Sequence, residues 1–301
     1  YDVRGAQVTN PTQNVNAING IYFYVSKLLK FDKETQETVD NCRIRMDFST
    51  LFPELATNNI RMNGKWTDYS RKNITDDDIG YNYLFPAGYL KGVVIAGTDA
   101  KFVYRRPRLN FYSSHGDEMV ANGVFDITFN LPPFPFEGEW QLRLGFAPMT
   151  TAPRGAVQIY FDGVATGIPL NMDLLINSAE IYGGSTFPSY ASIRNDYEKR
   201  QADFKILKNK GYYRGPYSLF HSESNDASTG EKFAQQASTV RKVLCNVSVT
   251  KADLQKTHTL RIKNVSQRNA SNKEAMLDYL ELVPKSVYGV GGESGQQEDD
   301  L

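Results

Sequence analysis

From Phe102 onward, apolar and polar positions alternate with a period of two. Val124-Phe-Asp-Ile-Thr-Phe-Asn-Leu, Trp140-Gln-Leu-Arg-Leu-Gly-Phe and Ala156-Val-Gln-Ile-Tyr-Phe all follow this rhythm. It marks strands with one face on a core and the other in water. Pro132-Pro-Phe-Pro stops the first run, and Asp162-Gly follows the third as a hairpin turn pair. Phe102-Val-Tyr-Arg-Arg-Pro is strand-like too, with Pro107 placing it at an edge or a bulge. Val240 to Val249 and His258 to Val265 read the same way, and Leu277 to Val283 alternates strictly until Pro284 ends it. Strands at this spacing, divided by Gly and Pro, predict an antiparallel sandwich rather than a parallel α/β sheet.

The rhythm is weaker elsewhere. Residues 1–14 are polar and read as a loop or tether, and Ile21 to Val25 is a dense apolar run of strand type. Val39 to Phe48 alternates, with Cys42, Ile44, Met46 and Phe48 on its apolar parity. Ser49-Thr-Leu-Phe-Pro-Glu-Leu then predicts a short helix, with a hydroxyl cap and a proline near its start. Residues 57–82 are rich in Asn and Asp and read as a junction. Residues 183–235 interrupt the strands: one helix is expected from Asp196, followed by Lys210-Gly-Tyr-Tyr-Arg-Gly-Pro-Tyr and a polar stretch. The tail from Gly289 has no apolar anchor and is expected to be disordered.

Composition agrees with a β fold. The 301 residues include 18 Tyr and 17 Phe, both strand formers. Lys plus Arg (34) equals Asp plus Glu (34), which argues against a nucleic-acid partner. No run of about 18 apolar residues offers a membrane-spanning helix. The chain begins at Tyr1 without a secretory leader, so it reads as either a processed chain or a fragment of a longer one. Cys42 and Cys245 are too few for a disulfide scaffold or a zinc cluster. They read as two separate thiols, with a single bridge as the alternative.

Asn16-Ala-Ile-Asn-Gly-Ile-Tyr-Phe-Tyr-Val-Ser-Lys-Leu-Leu is similar to the closing motif of a fasciclin domain. Arg43 to Leu55, Arg154-Gly-Ala-Val-Gln-Ile-Tyr-Phe-Asp-Gly, Tyr212-Tyr-Arg-Gly-Pro and the run from Leu277 to Tyr288 resemble the C-terminal region of fasciclin-containing surface lipoproteins of Bacteroidetes. The resemblance implies a division into a partial fasciclin segment (1–57), a connector (58–82), a jelly-roll-like β-sandwich (83–288) and a tail (289–301). It also implies an accessory of starch-utilisation-type uptake at the outer membrane. Such a protein is held by a lipid anchor outside this chain and is a possible partner of a transporter complex. It implies no catalytic residues.

The chemistry expected is therefore binding without turnover, and no cofactor is called for. A sugar stacks its C–H face on Tyr or Trp while nearby polar groups bond its hydroxyls. Trp66 and Tyr69, in a polar loop, and Tyr212, Tyr213, Arg214 and Tyr217, in the insertion, are the expected contacts for a glycan or peptide. Trp140 opens an alternating strand and is expected in the core. His258 reads as structural and His115 as part of a solvated turn. Asp76-Asp-Asp lacks the spacing of a calcium loop, so no metal site is expected. There is no nucleophile elbow, His-Glu-x-x-His or glycine-rich phosphate loop. A carboxylate pair can always be drawn from 34 acidic residues, so a divergent glycoside-active enzyme stays open as the alternative. A second alternative is a scaffold that docks on a transporter.

Overall fold

The computed structural model describes residues 2–3, 6–9, 15–17, 20–22, 24–27, 33, 41–61, 82–105, 113–148, 154–184, 186–193, 195–216, 239–266 and 274–289. The chain forms two compact units, Tyr1–Cys42 and Arg43–Leu301.

The first unit carries short strands: β1 (Asp2–Val3), β2 (Ala6–Thr9), β3 (Val15–Ala17), β4 (Gly20–Tyr22) and β5 (Tyr24–Val25). β1, β2 and β5 form one antiparallel sheet, and β3 pairs with β4. Strands thus occupy part of the polar segment expected to be a tether. Polar residues pair through backbone groups that a hydrophobic pattern does not register.

The second unit starts with β6 (Ile44–Asp47), a 3-10 turn (Phe48–Leu51) and α1 (Pro53–Thr57). Asp47 caps the turn by accepting from the Ser49 N–H, and Pro53 opens α1 where its missing N–H costs nothing. β6 pairs with the last strand of the chain. The stretch from Arg43 to Thr57 therefore belongs with the sandwich, and the division falls after Cys42 rather than after residue 57.

The remaining strands are β7 (Asn82–Leu84), β8 (Val93–Ala96), β9 (Lys101–Arg105), β10 (Glu118–Asn122), β11 (Asp126–Asn130), β12 (Gly138–Phe146), β13 (Ala156–Phe161), β14 (Val164–Ala165), β15 (Leu170–Asn171), β16 (Tyr212–Arg214), β17 (Val240–Val249), β18 (Thr259–Asn264), β19 (Glu274–Leu277) and β20 (Tyr279–Pro284). Helices α2 (Ala179–Tyr182), α3 (Tyr190–Ile193) and α4 (Tyr197–Lys208) fill the insertion, and α5 (Lys285–Tyr288) follows β20.

Among the described residues of this unit, three sheets result. Their orders are β14-β13-β18-β11-β8 with β15 beside β13, then β16-β17-β12-β20-β6, then β19-β10-β9-β7. The pairings within them are antiparallel, for example β12 with both β17 and β20. One hydrophobic core takes side chains from all three, including Ile127, Phe129, Leu260 and Ile262 from the first, Trp140, Leu142, Leu144 and Leu280 from the second, and Phe102, Met119 and Leu277 from the third. The chain is an all-β antiparallel sandwich, the architecture that the alternation predicts.

Three local features fix this frame. Asp162 and Gly163 have φ of 48° and 80°, the double left-handed geometry of a tight hairpin between β13 and β14. A bulge in β17 opposite Leu142 and Arg143 shifts its register by one residue. The third feature is Asp278, which separates β19 from β20, so that one run of chain serves two sheets. Its N–H donates to the Gly145 carbonyl (3.0 Å), and its carbonyl accepts from the Phe48 N–H (2.7 Å).

Candidate functional site

β20 runs between β12 and β6, and Ala275 to Pro284 is buried throughout. The alternation of Leu277 to Val283 predicts one wet face. Instead, Tyr279 (1 % exposed) and Glu281 (0 %) lie buried on the parity opposite Leu280 and Leu282.

Guanidinium groups account for the burial of Glu281. Arg45 from β6 donates through Nε to Oε1 (2.8 Å), and Arg241 from β17 approaches both oxygens (3.3 and 3.4 Å). Arg143 from β12 lies 3.8 Å from Oε2. Burial pushes the Glu281 carboxyl up, but Arg241, Arg45, Arg43 and Arg143 together hold it below the ordinary range. Arg143 also donates to Gln141 Oε1 (2.7 Å), and Gln141 donates to Asn246 (3.1 Å).

The expected contact residues Tyr212, Tyr213 and Arg214 meet this assembly. They form β16, a strand on the edge of the same sheet, where an open loop was expected. All are buried, at 8, 2 and 2 % exposure. The Tyr213 ring lies under the Arg143 guanidinium, with 3.9 Å from Cζ to the ring centre, and Arg241 stands 5.5 Å from the same ring. Lys242 sits over Tyr212. Arg214 makes two bonds to Asp203 of α4 (2.6 and 2.9 Å), stacks on Phe187 and donates to the Pro188 carbonyl. Asp203 also accepts from the Tyr182 hydroxyl (2.7 Å). These three side chains thus clamp the helical insertion to the sheet. Trp66, Tyr69 and Tyr217 lie outside the described residues, as does Asp76-Asp-Asp.

Two further polar clusters escaped the pattern reading. Arg105 and Arg154 bridge Glu118 and Glu274: Arg105 donates to Glu118 (3.1 Å) and Glu274 (2.5 Å), and Arg154 donates to Glu118 (2.8 Å) and Glu274. Burial raises the Glu274 carboxyl, and Arg154 and Arg105 outweigh that and lower it. Asp278 is in the opposite situation. Burial, then Asp47, Asp117 and Glu118, push its carboxyl well above the ordinary range, against one Ser114 N–H donating to Oδ1 (2.8 Å). Strand pairs of opposite charge hint at the first cluster. Asp278 carries no local sign, because its neighbours come from distant strands.

His258 is buried beside Phe134 and Phe161, with Nδ1 2.7 Å from Asp162 Oδ2. This fits the structural role expected for it. Trp140 is fully buried, as its strand pattern predicts. Cys42 and Cys245 are both free thiols, and Cys42 is exposed. Burial, helped by Asp162, pushes the Cys245 thiol up to about 11. Among the described residues no group of His, Cys, Asp or Glu is placed to hold a metal ion. No helix among them is long and apolar enough to cross a membrane.

One exposed aromatic stands among polar groups. Tyr89, 40 % exposed, lies nearly parallel to the buried Phe85 ring, with 5.8 Å between centres and 26° between planes. Asn58, at the end of α1, donates its amide to the Tyr89 hydroxyl (2.6 Å). Glu54 of α1 accepts from the Lys91 N–H through Oε1 (3.0 Å). One turn of α1 separates Glu54 from Asn58, so both tie down the same loop.

No family model matches this chain, and neither does any curated protein. Three solved structures are similar to parts of it. A Paenibacillus xanthan lyase is 13 % identical over 64 % of this chain and 12 % of its own, with a TM-score of 0.35. The Agl-KA catalytic domain is 13 % identical over 67 % of this chain and 27 % of its own, with a TM-score of 0.28. The catalytic domain of a GH87 alpha-1,3-glucanase, in complex with tetrasaccharides, is 15 % identical over 67 % of this chain and 28 % of its own, with a TM-score of 0.26. The chain spans less than a third of the length of each of these proteins.

Proposed function

We propose that this chain is a non-catalytic binding module for extracellular glycan or peptide, exposed at the cell surface and accessory to nutrient uptake. Asp278 apart, the buried carboxylates that carry the reading close on guanidinium groups. Glu281 is held by Arg45, Arg143 and Arg241, Glu118 and Glu274 by Arg105 and Arg154, and Asp203 by Arg214. Carboxylates held this way are poor general acids or bases, because their partners hold them ionised and occupy their oxygens. That leaves outward-facing aromatic and polar groups to meet a ligand, as in recognition by stacking and hydroxyl bonding.

Trp66 and Tyr69 lie between α1 and β7 in the sequence. The reading therefore keeps Trp66 and Tyr69 as expected contacts and gives up the buried residues of β16. The test is retention of the chain on arrays of oligosaccharides and of peptides. Retention without turnover, weakened by Trp66→Ala, supports the module. Cleavage of a retained glycan, or no retention on either array, overturns it.

A further inference from the structure

We infer that the surface made by Asn58, Tyr89 and Lys91 is a contact site for an uncharged saccharide, an assignment that rests on the binding function proposed above. A pyranose presents a flat patch of C–H groups and a rim of hydroxyls that both donate and accept. Its recognition needs an exposed ring held in a fixed plane, and donors and acceptors at the ring's edge.

Each requirement is met by a named group. The Tyr89 ring is set by stacking on Phe85, which is 4 % exposed, and by the bond from Asn58 at its hydroxyl. A ring fixed in this way loses little freedom on binding. The Asn58 amide uses one N–H on Tyr89, and its second N–H and its oxygen are a donor and an acceptor beside the ring. Glu54 spends Oε1 on the Lys91 N–H and its Oε2 is buried, so this carboxylate fixes the loop and does not itself face the ligand. The Lys91 side chain is exposed and supplies an ammonium donor.

Charge sets the ligand class. Glu54 and Lys91 cancel, so the patch carries no net charge. Glu54 and Asn58 sit on a helix whose Leu55 is fully buried, so the site is anchored to the core.

The test is binding of the full chain to three immobilised panels: neutral hexose and pentose oligosaccharides, uronate-containing oligosaccharides, and peptides. Retention on the neutral panel is expected. Tyr89→Ala is expected to weaken it about tenfold, the loss of one stacking contact. Tyr89→Phe, which keeps the ring, is expected to cost no more than about threefold. Tyr197→Ala, at an exposed tyrosine on α4, is expected to leave retention unchanged. Unaltered denaturation midpoints would show that the variants fold. Neutral-panel retention that survives Tyr89→Ala overturns the site while leaving the binding module intact. Retention confined to uronates or to peptides overturns the saccharide class assigned here. Absence of retention on all three panels removes the binding function itself.

Discussion

The ring of Tyr279 lies across Gly145, its direct cross-strand partner, so closely that a Cβ at Gly145 would fall 2.1 Å from the ring Cζ. The glycine here is required by a neighbour, since its own φ is not in the left-handed region. Gly145→Ala is expected to destabilise the chain by about 3 kcal/mol through overpacking. Pairing it with Tyr279→Ala should recover part of the loss relative to the sum of the single changes. Urea denaturation of the four proteins measures the coupling, and strict additivity would show that the ring yields freely.

Glu281 and Asp278 lie close together in one strand region, yet their pH dependences have opposite sign. The folded Glu281 carboxyl is lowered, so the stability it contributes is present above about pH 4.3, its unfolded value, and is lost as pH falls through the folded value. Asp278 is raised, so its contribution is complete below about pH 3.9 and is lost as pH rises toward the folded value. Asp278→Asn, which keeps an oxygen for the Ser114 N–H, is expected to stabilise the chain at neutral and alkaline pH and to lose that advantage in acid. Glu281→Gln is expected to cost about 3–5 kcal/mol at pH 7, because buried guanidinium groups lose their anion. Denaturation midpoints measured across pH check both signs.

Tyr213→Ala separates stability from binding. The ring packs under Arg143 and beside Arg241. Its removal should cost about 3 kcal/mol of stability. Affinity per folded molecule should stay constant, as judged by titration well below the denaturation midpoint. A lowered affinity in fully folded protein would return Tyr213 to the list of ligand contacts.

The two thiols should react differently. Cys42 is exposed, while the Cys245 thiol is raised to about 11 by burial and Asp162. The thiolate is the reactive form, so native protein at pH 7.5 should take up one equivalent of maleimide and denatured protein two. Rapid double labelling of the native chain would contradict the burial of Cys245.

Much of the sandwich was legible in the sequence because alternation reports a face packed on a core. β11, β12, β13, β17 and β18 fall where the pattern puts them, and Asp162-Gly gives its hairpin. The Asp196 cap likewise marks the start of α4. What alternation does not report is whether the second face is wet. Tyr279 and Glu281 share the face opposite Leu280 and Leu282, and the convergence of Arg45, Arg143 and Arg241 from three other strands covers Glu281 there. Tyr212, Tyr213 and Arg214 misled for the same reason: a short aromatic run next to Gly and Pro resembles a loop until a long-range partner such as β17 is known. The cluster around Tyr89 was missed because its members are split between a helix and a turn and share no local motif.

The bond from Arg45 to Glu281 joins residues 236 positions apart in the sequence. A chain emerging from the ribosome therefore carries β6 and one edge of β12 without their β20 partner until β20 has been made. Closing contacts of such separation is slow, and open strand edges invite pairing with other chains. Any change that removes β20 would leave two edges unsealed at once, so β20 acts as the latch between β12 and β6.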